Sequence, residues 1–154
     1  MAVRRHGAKE IFALHAWHTG SAMTYRFETS QSSDVFTARV SGERPESPVE
    51  SVNVLMNFWS GVASEMKVSG LHRLLAVVSA RGTFRSLDLP AFYRRLSEMG
   101  FSANMRMAVV SDALPHERPV HQLGVDVASQ DGWTICLFAT EIEGRAWLEI
   151  DQKA

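Results

Sequence analysis

The sequence predicts an α/β domain with a single five-stranded mixed sheet, opened by a β-hairpin and flanked by helices. Short apolar runs, typical of buried strands, alternate along the chain with segments whose apolar residues recur every three or four positions, as in helices. This alternation favours parallel strands with right-handed crossovers. The chain has 154 residues, of which 45% are hydrophobic and 21% charged. That length and composition are typical of one globular domain.

The predicted hairpin consists of two segments in which apolar and polar residues alternate. Tyr25 and Phe27 have polar neighbours in the first segment, and residues 35–40 repeat the alternation in the second. Residues 30–34, Ser-Gln-Ser-Ser-Asp, are typical of a turn. The two segments are therefore predicted to pair antiparallel.

The first helix is predicted to begin at Pro48 and to end near Gly70. Ser47 is suited to cap its start, proline is favoured at the first helical position, and Glu50 stands where a capping box requires it. Apolar residues then recur at helical spacing, and the glycine provides a stop.

Three strands and further helices complete the predicted order. The predicted strands are residues 74–78, 105–110 and 134–138, and the predicted helices are residues 88–99, a short segment at 120–123, and a terminal helix that begins at the capping box of Thr140 and Glu143. Four residues of the terminal helix are expected to face inward: Ile142, Ala146, Trp147 and Ile150.

The chain is predicted to consist of an N-terminal extension, residues 1–22, and an α/β domain, residues 23–150. The extension carries three basic residues and one acidic residue, which leaves 13 basic and 16 acidic residues in the remainder. The formal net charge of the whole chain is −1, so a dedicated duplex-binding protein is not expected, and no nucleic-acid partner is predicted. No apolar run approaches the roughly 20 residues that cross a bilayer. A soluble, cytoplasmic protein without a transmembrane segment is predicted.

The sequence contains no motif that assigns a reaction. Phosphate-binding glycine loops and the G-x-S-x-G nucleophile elbow are absent. The single cysteine, Cys136, lies within an apolar run and is expected to be an inert buried residue. The pairs His15 with His18 and His116 with His121 could ligate a metal, although an exposed extension and a surface loop are the favoured interpretations. No catalytic residue, cofactor or metal is predicted, and an enzyme is the less favoured hypothesis.

Polar residues that follow two predicted parallel strands form the first candidate site. In open α/β sheets, ligands usually bind at the carboxyl edge of the strands, and helix N-termini favour anions. The alternative is an ordinary polar connection with its side chains in solvent. The candidate ligand- or anion-binding residues are Arg81, Thr83, Arg85, Ser86, Ser111 and Asp112.

The first helix suggests a second candidate site, because its 14 residues from Ser51 to Ser64 include no charged side chain. A surface helix usually carries charge on its outer face. This helix is expected to bury a second face, against another subunit or around an apolar ligand. The alternative is deep packing within the monomer, under the N-terminal extension. The candidate interface residues are Asn53, Asn57, Phe58 and Trp59.

The order of elements and two sequence segments resemble the SpoIIAA-like branch of the STAS-like proteins, which are small bacterial α/β domains. The matching segments are residues 106–112, Arg-Met-Ala-Val-Val-Ser-Asp, and residues 138–148, which end in Ala-Trp-Leu. The resemblance covers about residues 23–150 and its motifs are structural.

The resemblance implies a non-enzymatic regulatory module that binds a protein partner, a nucleotide or an apolar ligand. Anti-sigma-factor antagonists of the wider family are switched by a phosphorylated serine at the start of a helix. The corresponding motif is missing here, where residues 81–86 read Arg-Gly-Thr-Phe-Arg-Ser, which leaves Thr83 and Ser86 as candidate phosphorylation sites.

Two functional hypotheses follow. The first is a binding or regulatory module, expected to be a homodimer or to bind a protein partner. The second is a small enzyme, or a protein that binds a small anionic or apolar ligand, at the carboxyl edge of the sheet.

Overall fold

The computed structural model describes residues 13–19, 22–32, 34–45, 47–82, 88–112, 115 and 117–150. Six strands and four helices lie within these ranges. The strands are β1 (Ala13–Thr19), β2 (Ala22–Gln31), β3 (Phe36–Gly42), β4 (Arg73–Val78), β5 (Arg106–Ser111) and β6 (Thr134–Phe138). The helices are α1 (Pro48–Ser69), α2 (Asp88–Tyr93), α3 (Arg118–Gln130) and α4 (Glu141–Glu149). No helix in the described ranges is both long and apolar enough to cross a membrane.

The predicted α/β fold with one mixed sheet is confirmed. The strands lie in chain order across the sheet, β1-β2-β3-β4-β5-β6. The pairs β1–β2 and β2–β3 are antiparallel, and the pairs β3–β4, β4–β5 and β5–β6 are parallel. The predicted hairpin is the pair β2 and β3.

The sheet has one strand more than predicted, because residues 13–19 of the predicted extension form β1. This strand pairs with β2 from Ala13 opposite Thr29 to Thr19 opposite Ala22, with an irregularity between Ala16 and His18. Part of the segment that the sequence analysis separated from the domain therefore belongs to the sheet.

The sheet separates two apolar cores. Because β3 to β6 are parallel and in chain order, right-handed crossovers carry α1, α2 and α3 over the same face. The core on that face includes Trp59, Val62, Tyr93, Val125 and Ala128. The smaller core on the opposite face joins α4, through Leu148, to Val35, Leu75, Ala108 and Val110.

Both ends of α1 agree with the sequence prediction. The Ser47 hydroxyl accepts a hydrogen bond from the Glu50 backbone N–H at 3.4 Å. Gly70 ends the helix with φ of 70°, a left-handed conformation that favours glycine. Local signals were sufficient here because each cap depends on neighbouring residues alone.

Two of the other helices differ in length from the prediction. α2 ends at Tyr93 and continues as turns to Gly100, although Leu96 and Met99 are buried as expected. The Arg95 N–H bonds to the Phe92 carbonyl, three residues back, so the α-helical pattern is interrupted there. The short segment predicted at 120–123 is part of the 13-residue helix α3.

The expected inward face of α4 is wrong for most of its residues. The predicted capping box is confirmed: the Thr140 hydroxyl accepts from the Glu143 N–H, and the Glu143 carboxylate accepts from the Thr140 N–H. The buried residues are nevertheless Gly144 and Leu148. Of the four predicted residues, Trp147 is partly buried, whereas Ala146 and the large apolar residues Ile142 and Ile150 are exposed.

The physical reason is the close approach of α4 to the sheet at Gly144. A β-carbon there would lie 3.1 Å from side-chain atoms of Leu75 and Val110. The helix therefore packs through its smallest residue, which a search for large apolar residues overlooks.

A second glycine sets the contact between α2 and α3. A β-carbon on Gly124 would lie 2.5 Å from Cδ2 and 2.8 Å from Cε2 of Tyr93. The Tyr93 ring is therefore packed directly against the α3 backbone, in a position that no other residue at 124 would permit without movement.

We expect Gly124→Ala to destabilise the protein by about 1–3 kcal/mol, because displacing the Tyr93 ring costs more than the gain in helix propensity. Gly61→Ala is the matched control, since Gly61 is exposed in α1 and its β-carbon would meet nothing within 4 Å. This variant should stabilise the protein by about 0.5–1 kcal/mol. Urea denaturation measures both changes, and equal effects of the two substitutions would contradict the proposed packing.

Candidate functional site

A cavity of about 100 Å³ lies on the three-helix face of the sheet. We call it the chamber. Val40, Ala76, Val78 and Val109 of the central strands form its floor. Further apolar lining comes from α1, α2 and the turns after α2: Val52, Leu55, Trp59, Leu89, Phe92 and Leu96.

The chamber is larger than the water-sized voids that are usual in protein interiors, and its lining is mostly apolar. One water molecule needs about 10–15 Å³ of such volume, so several would fit. Lining by aliphatic and aromatic side chains disfavours water, however, and favours an apolar occupant.

Ala76 explains why the sheet leaves space at this point. It lies in the middle of β4, is 2% exposed, and points toward the helices, as its neighbour Leu74 does. Its side chain is a single methyl group, so the centre of the floor lies lower than it would with valine or leucine.

Arg44 brings a positive charge to the rim of the chamber. Its backbone N–H donates to the Arg81 carbonyl at 2.9 Å, and the Arg81 N–H donates to the Gly42 carbonyl at 2.8 Å. The pairing of β3 with β4 thus continues beyond both strands, to a bridge between Glu43 and Arg81. Because side chains alternate along extended chain, Arg44 lies on the chamber side, and Glu43 and Arg81 lie on the opposite side.

His121 lies beside this charge, in the first turns of α3. It is 3% exposed and lines the chamber. Burial lowers the pKa of His121, the positive charge of Arg44 lowers it further, and the negative charge of Glu117 opposes both effects. The imidazole is therefore held in its neutral form near pH 7.

Two residues with hydroxyl groups, Tyr93 and Ser51, also line the chamber. Burial raises the pKa of the Tyr93 phenol well above its ordinary value, so the group stays protonated and can donate a hydrogen bond. The Ser51 hydroxyl lies 2.6 Å from that of Tyr25 and links α1 to β2. The chamber thus combines an apolar body with a few polar groups, as ligand sites generally do.

The structure describes three of the six residues of the first predicted site. Arg81 is exposed on the face of the ribbon opposite Arg44. Ser111 is buried at the end of β5, in register with Val78 and hence on the same face of the sheet as the chamber floor. Asp112 is exposed. The other three predicted residues, Thr83, Arg85 and Ser86, lie outside the described residues.

The four predicted interface residues occupy different environments on α1. Asn53 and Asn57 are exposed. Phe58 is half-buried, with its ring stacked on that of Phe27 at a centroid distance of 4.2 Å. Trp59 is 6% exposed and lines the chamber, so it lies inside the chain rather than on the outer face of the helix.

Three of the four histidines considered as metal ligands lie in secondary-structure elements. His121 was expected in a surface loop, and that expectation is wrong, because the residue is buried within α3. His15 and His18 belong to strand β1 rather than to an extension outside the sheet, and His116 lies outside the described residues. Across the described ranges, no three His, Cys, Asp or Glu side chains are grouped to hold a metal. Cys136 is partly exposed in β6.

Sequence reasoning missed Arg44, Tyr93 and His121 as site residues. The alternation of β3, continued past Val40, would have placed Arg44 on the core face. For His121, the spacing to Val125 and Ala128 is helical and would have indicated an inward position. No local signal shows that these residues meet, because the chamber forms between segments far apart in sequence.

Comparison with known proteins gives no family assignment. No protein-family model matches the chain, and no curated protein matches it. The SpoIIAA-like resemblance stays a proposal, and the functional interpretation depends on the geometry of the chamber.

We expect acid to destabilise the protein partly through His121. Because its pKa is lowered by folding, the unfolded chain binds more protons than the folded chain as the pH falls below about 6.5. The stability that depends on a neutral His121 is therefore fully present above about pH 6.5 and is lost as the pH falls below that value. His121→Gln, which cannot titrate, should lose less stability than the wild type between about pH 7.5 and about pH 5.5.

Urea denaturation at a series of pH values measures this difference. The exposed His72, replaced by glutamine in the same way, is the matched control. An identical loss of stability in the wild type and in His121→Gln would contradict the interpretation.

Proposed function

We propose that this chain is a non-enzymatic binding module of the SpoIIAA-like kind, which takes up a small, largely apolar molecule in the chamber. The observation that carries the proposal is an apolar cavity of about 100 Å³ with Arg44 and His121 at its rim. The uncharged stretch of α1 supports it, because Ser51, Val52, Leu55 and Trp59 all line the cavity. The cytoplasmic location predicted from the sequence belongs to the same proposal.

The proposal accords with one of the three ligand classes that the SpoIIAA-like resemblance implies. It differs from the sequence hypothesis in the residues involved, since the chamber is bounded by Arg44 rather than by Arg81. Chemical turnover at the carboxyl edge is the alternative, and recovery of an added ligand unchanged after incubation would count against it.

A neutral fluorescent dye, N-phenyl-1-naphthylamine, tests the chamber without involving charge. We expect saturable binding to the wild type at one site per chain. Ala76→Leu fills the floor with three more carbon atoms, and Ala80→Leu fills the wall near the rim. Both variants should remain folded and weaken dye binding at least about tenfold, a loss typical of a blocked apolar contact.

Ala108→Leu is the matched control for Ala76→Leu. Ala108 lies in the next strand on the opposite face, and its Cβ is 3.4 Å from the position of a β-carbon on Gly144. We expect this variant to lose about 1–3 kcal/mol of stability through overpacking and to keep the dye affinity of the wild type. Absence of saturable binding to the wild type, or unchanged binding in both chamber variants, would contradict the proposal.

A second candidate function, homodimerisation, uses the outer face of α1. The exposed residues of that face carry no charge between Ser51 and Ser64. Val49 and Val68, which are 68% and 90% exposed, lie beyond the two ends of this stretch, and exposed Glu65 and Lys67 stand next to Val68. Asn53, Asn57 and Gly61 lie between these valines and are also exposed. Contact with a second copy would remove both valines from water, which favours association.

We expect light scattering after gel filtration to give the mass of a dimer. Asn57→Arg places a charge in the middle of the face and should shift the equilibrium to monomer. Gln130→Arg adds the same charge at an exposed position of α3 and should not. A monomeric wild type at high concentration, or equal behaviour of the two variants, would contradict dimerisation through α1.

A further inference from the structure

The two tyrosines of the chain differ in whether their hydroxyl groups have a hydrogen-bond partner. The Tyr25 oxygen lies 2.6 Å from that of Ser51, a normal distance for a hydrogen bond between hydroxyl groups. Tyr93 is 6% exposed, nearly as buried as Tyr25, but its hydroxyl forms no hydrogen bond with any described residue. A buried hydroxyl without a partner destabilises the fold, because it has given up its hydrogen bonds to water.

The Tyr93 hydroxyl is accessible from the chamber. One edge of the ring, Cδ2 and Cε2, is packed against the α3 backbone at Gly124, and the residue also lines the chamber. Its oxygen is not one of the fully enclosed side-chain atoms that lack a hydrogen-bond partner, so open space lies beside it. An occupant of the chamber can therefore supply the partner that the described part of the chain does not.

The surroundings of this hydroxyl favour a neutral partner. Burial raises the pKa of Tyr93, so the phenol stays protonated and can donate a hydrogen bond. Arg44 and His121, which also line the chamber, each already interact with other groups of the protein. A charged ligand would lose its hydration among mostly apolar walls, which is costly. Water is also a poor partner, because it needs about two to four hydrogen bonds of its own.

We infer that the chamber binds a small neutral molecule with an apolar body and a carbonyl oxygen, which accepts a hydrogen bond from the Tyr93 hydroxyl. This inference rests on the proposed function and adds the chemical class of the ligand. Ketones and esters belong to this class. A hydrocarbon of the same shape would leave the hydroxyl without a partner, and a site with a buried polar group discriminates against such a ligand.

The test is displacement of N-phenyl-1-naphthylamine by acetophenone and by isopropylbenzene, which are uncharged, have similar shapes and differ in the carbonyl oxygen. The two molecules also differ in hydration, so the quantity measured is the change in the ratio of their dissociation constants between the wild type and Tyr93→Phe. We expect this substitution to reduce the relative preference for acetophenone about fivefold to tenfold, as the loss of one hydrogen bond would. Tyr25→Phe is the matched control and should keep the wild-type ratio.

The carbonyl stretching frequency of bound acetophenone is a second measurement. A hydrogen bond to the oxygen weakens the C=O bond, so we expect the frequency in the wild-type complex to lie below its value in hexane. In Tyr93→Phe it should return toward that value.

The stability of the ligand-free variants tests the premise. Tyr25→Phe breaks the hydrogen bond to Ser51 and should lower the urea midpoint, whereas Tyr93→Phe removes a hydroxyl without a partner and should leave the midpoint unchanged or raise it. Equal losses of stability in the two variants would contradict the premise.

The outcomes separate this inference from the proposed function. An unchanged ratio of dissociation constants in Tyr93→Phe overturns the carbonyl assignment and leaves the chamber as an apolar site. A frequency equal to that in hexane also overturns it, and this measurement uses the wild type alone, so it is decisive even where a variant fails to fold. Failure of the dye itself to bind the wild type saturably contradicts the proposed function.

Discussion

Because strands β3 to β6 follow one another across the sheet in chain order, every helix that connects them must cross the same face. Three helices therefore pack on one side, and α4 alone of the described helices covers part of the other. The crowded side is closed tightly between α2 and α3, where Tyr93 lies against Gly124. Between α1 and α2 it stays open. The chamber is a consequence of this unequal packing of helices over one sheet face.

Small residues determine where a face of the sheet is closely packed and where it leaves a cavity. Gly144 lets α4 approach Leu75 and Val110 closely, so the second face is filled. Ala76 lines the cavity on the first face, together with residues of α1 and α2. Small residues thus have opposite effects, depending on whether the facing element packs closely against them. A bound apolar molecule would complete the packing that the chain leaves unfinished.

The fold could be predicted from the sequence because its signals are local. The caps of α1 and α4 involve residues three positions apart, and the strands of the parallel region are continuous apolar runs. The chamber could not be predicted in the same way. Arg44 and His121 are far apart in the chain, and only the extension of β3–β4 pairing and the burial of α3 bring them to one rim. The uncharged stretch of α1 contributes Ser51, Val52, Leu55 and Trp59 to the cavity lining, and it also has an exposed face at Asn53, Asn57 and Gly61. The sequence could not show which face of α1 lines the cavity, because that depends on tertiary packing.

The proposed function requires an apolar ligand to occupy the space above Ala76 rather than an outer surface. Nuclear Overhauser contacts between octan-1-ol and the protein test this most directly, because they report proximity without a variant and without the charge of the head group. We expect contacts from the alkyl chain to the Ala76 methyl group and to the ring of Tyr93. Contacts confined to the outer face of α1, around Val49 and Val68, or to the exposed residues of α4, would contradict it.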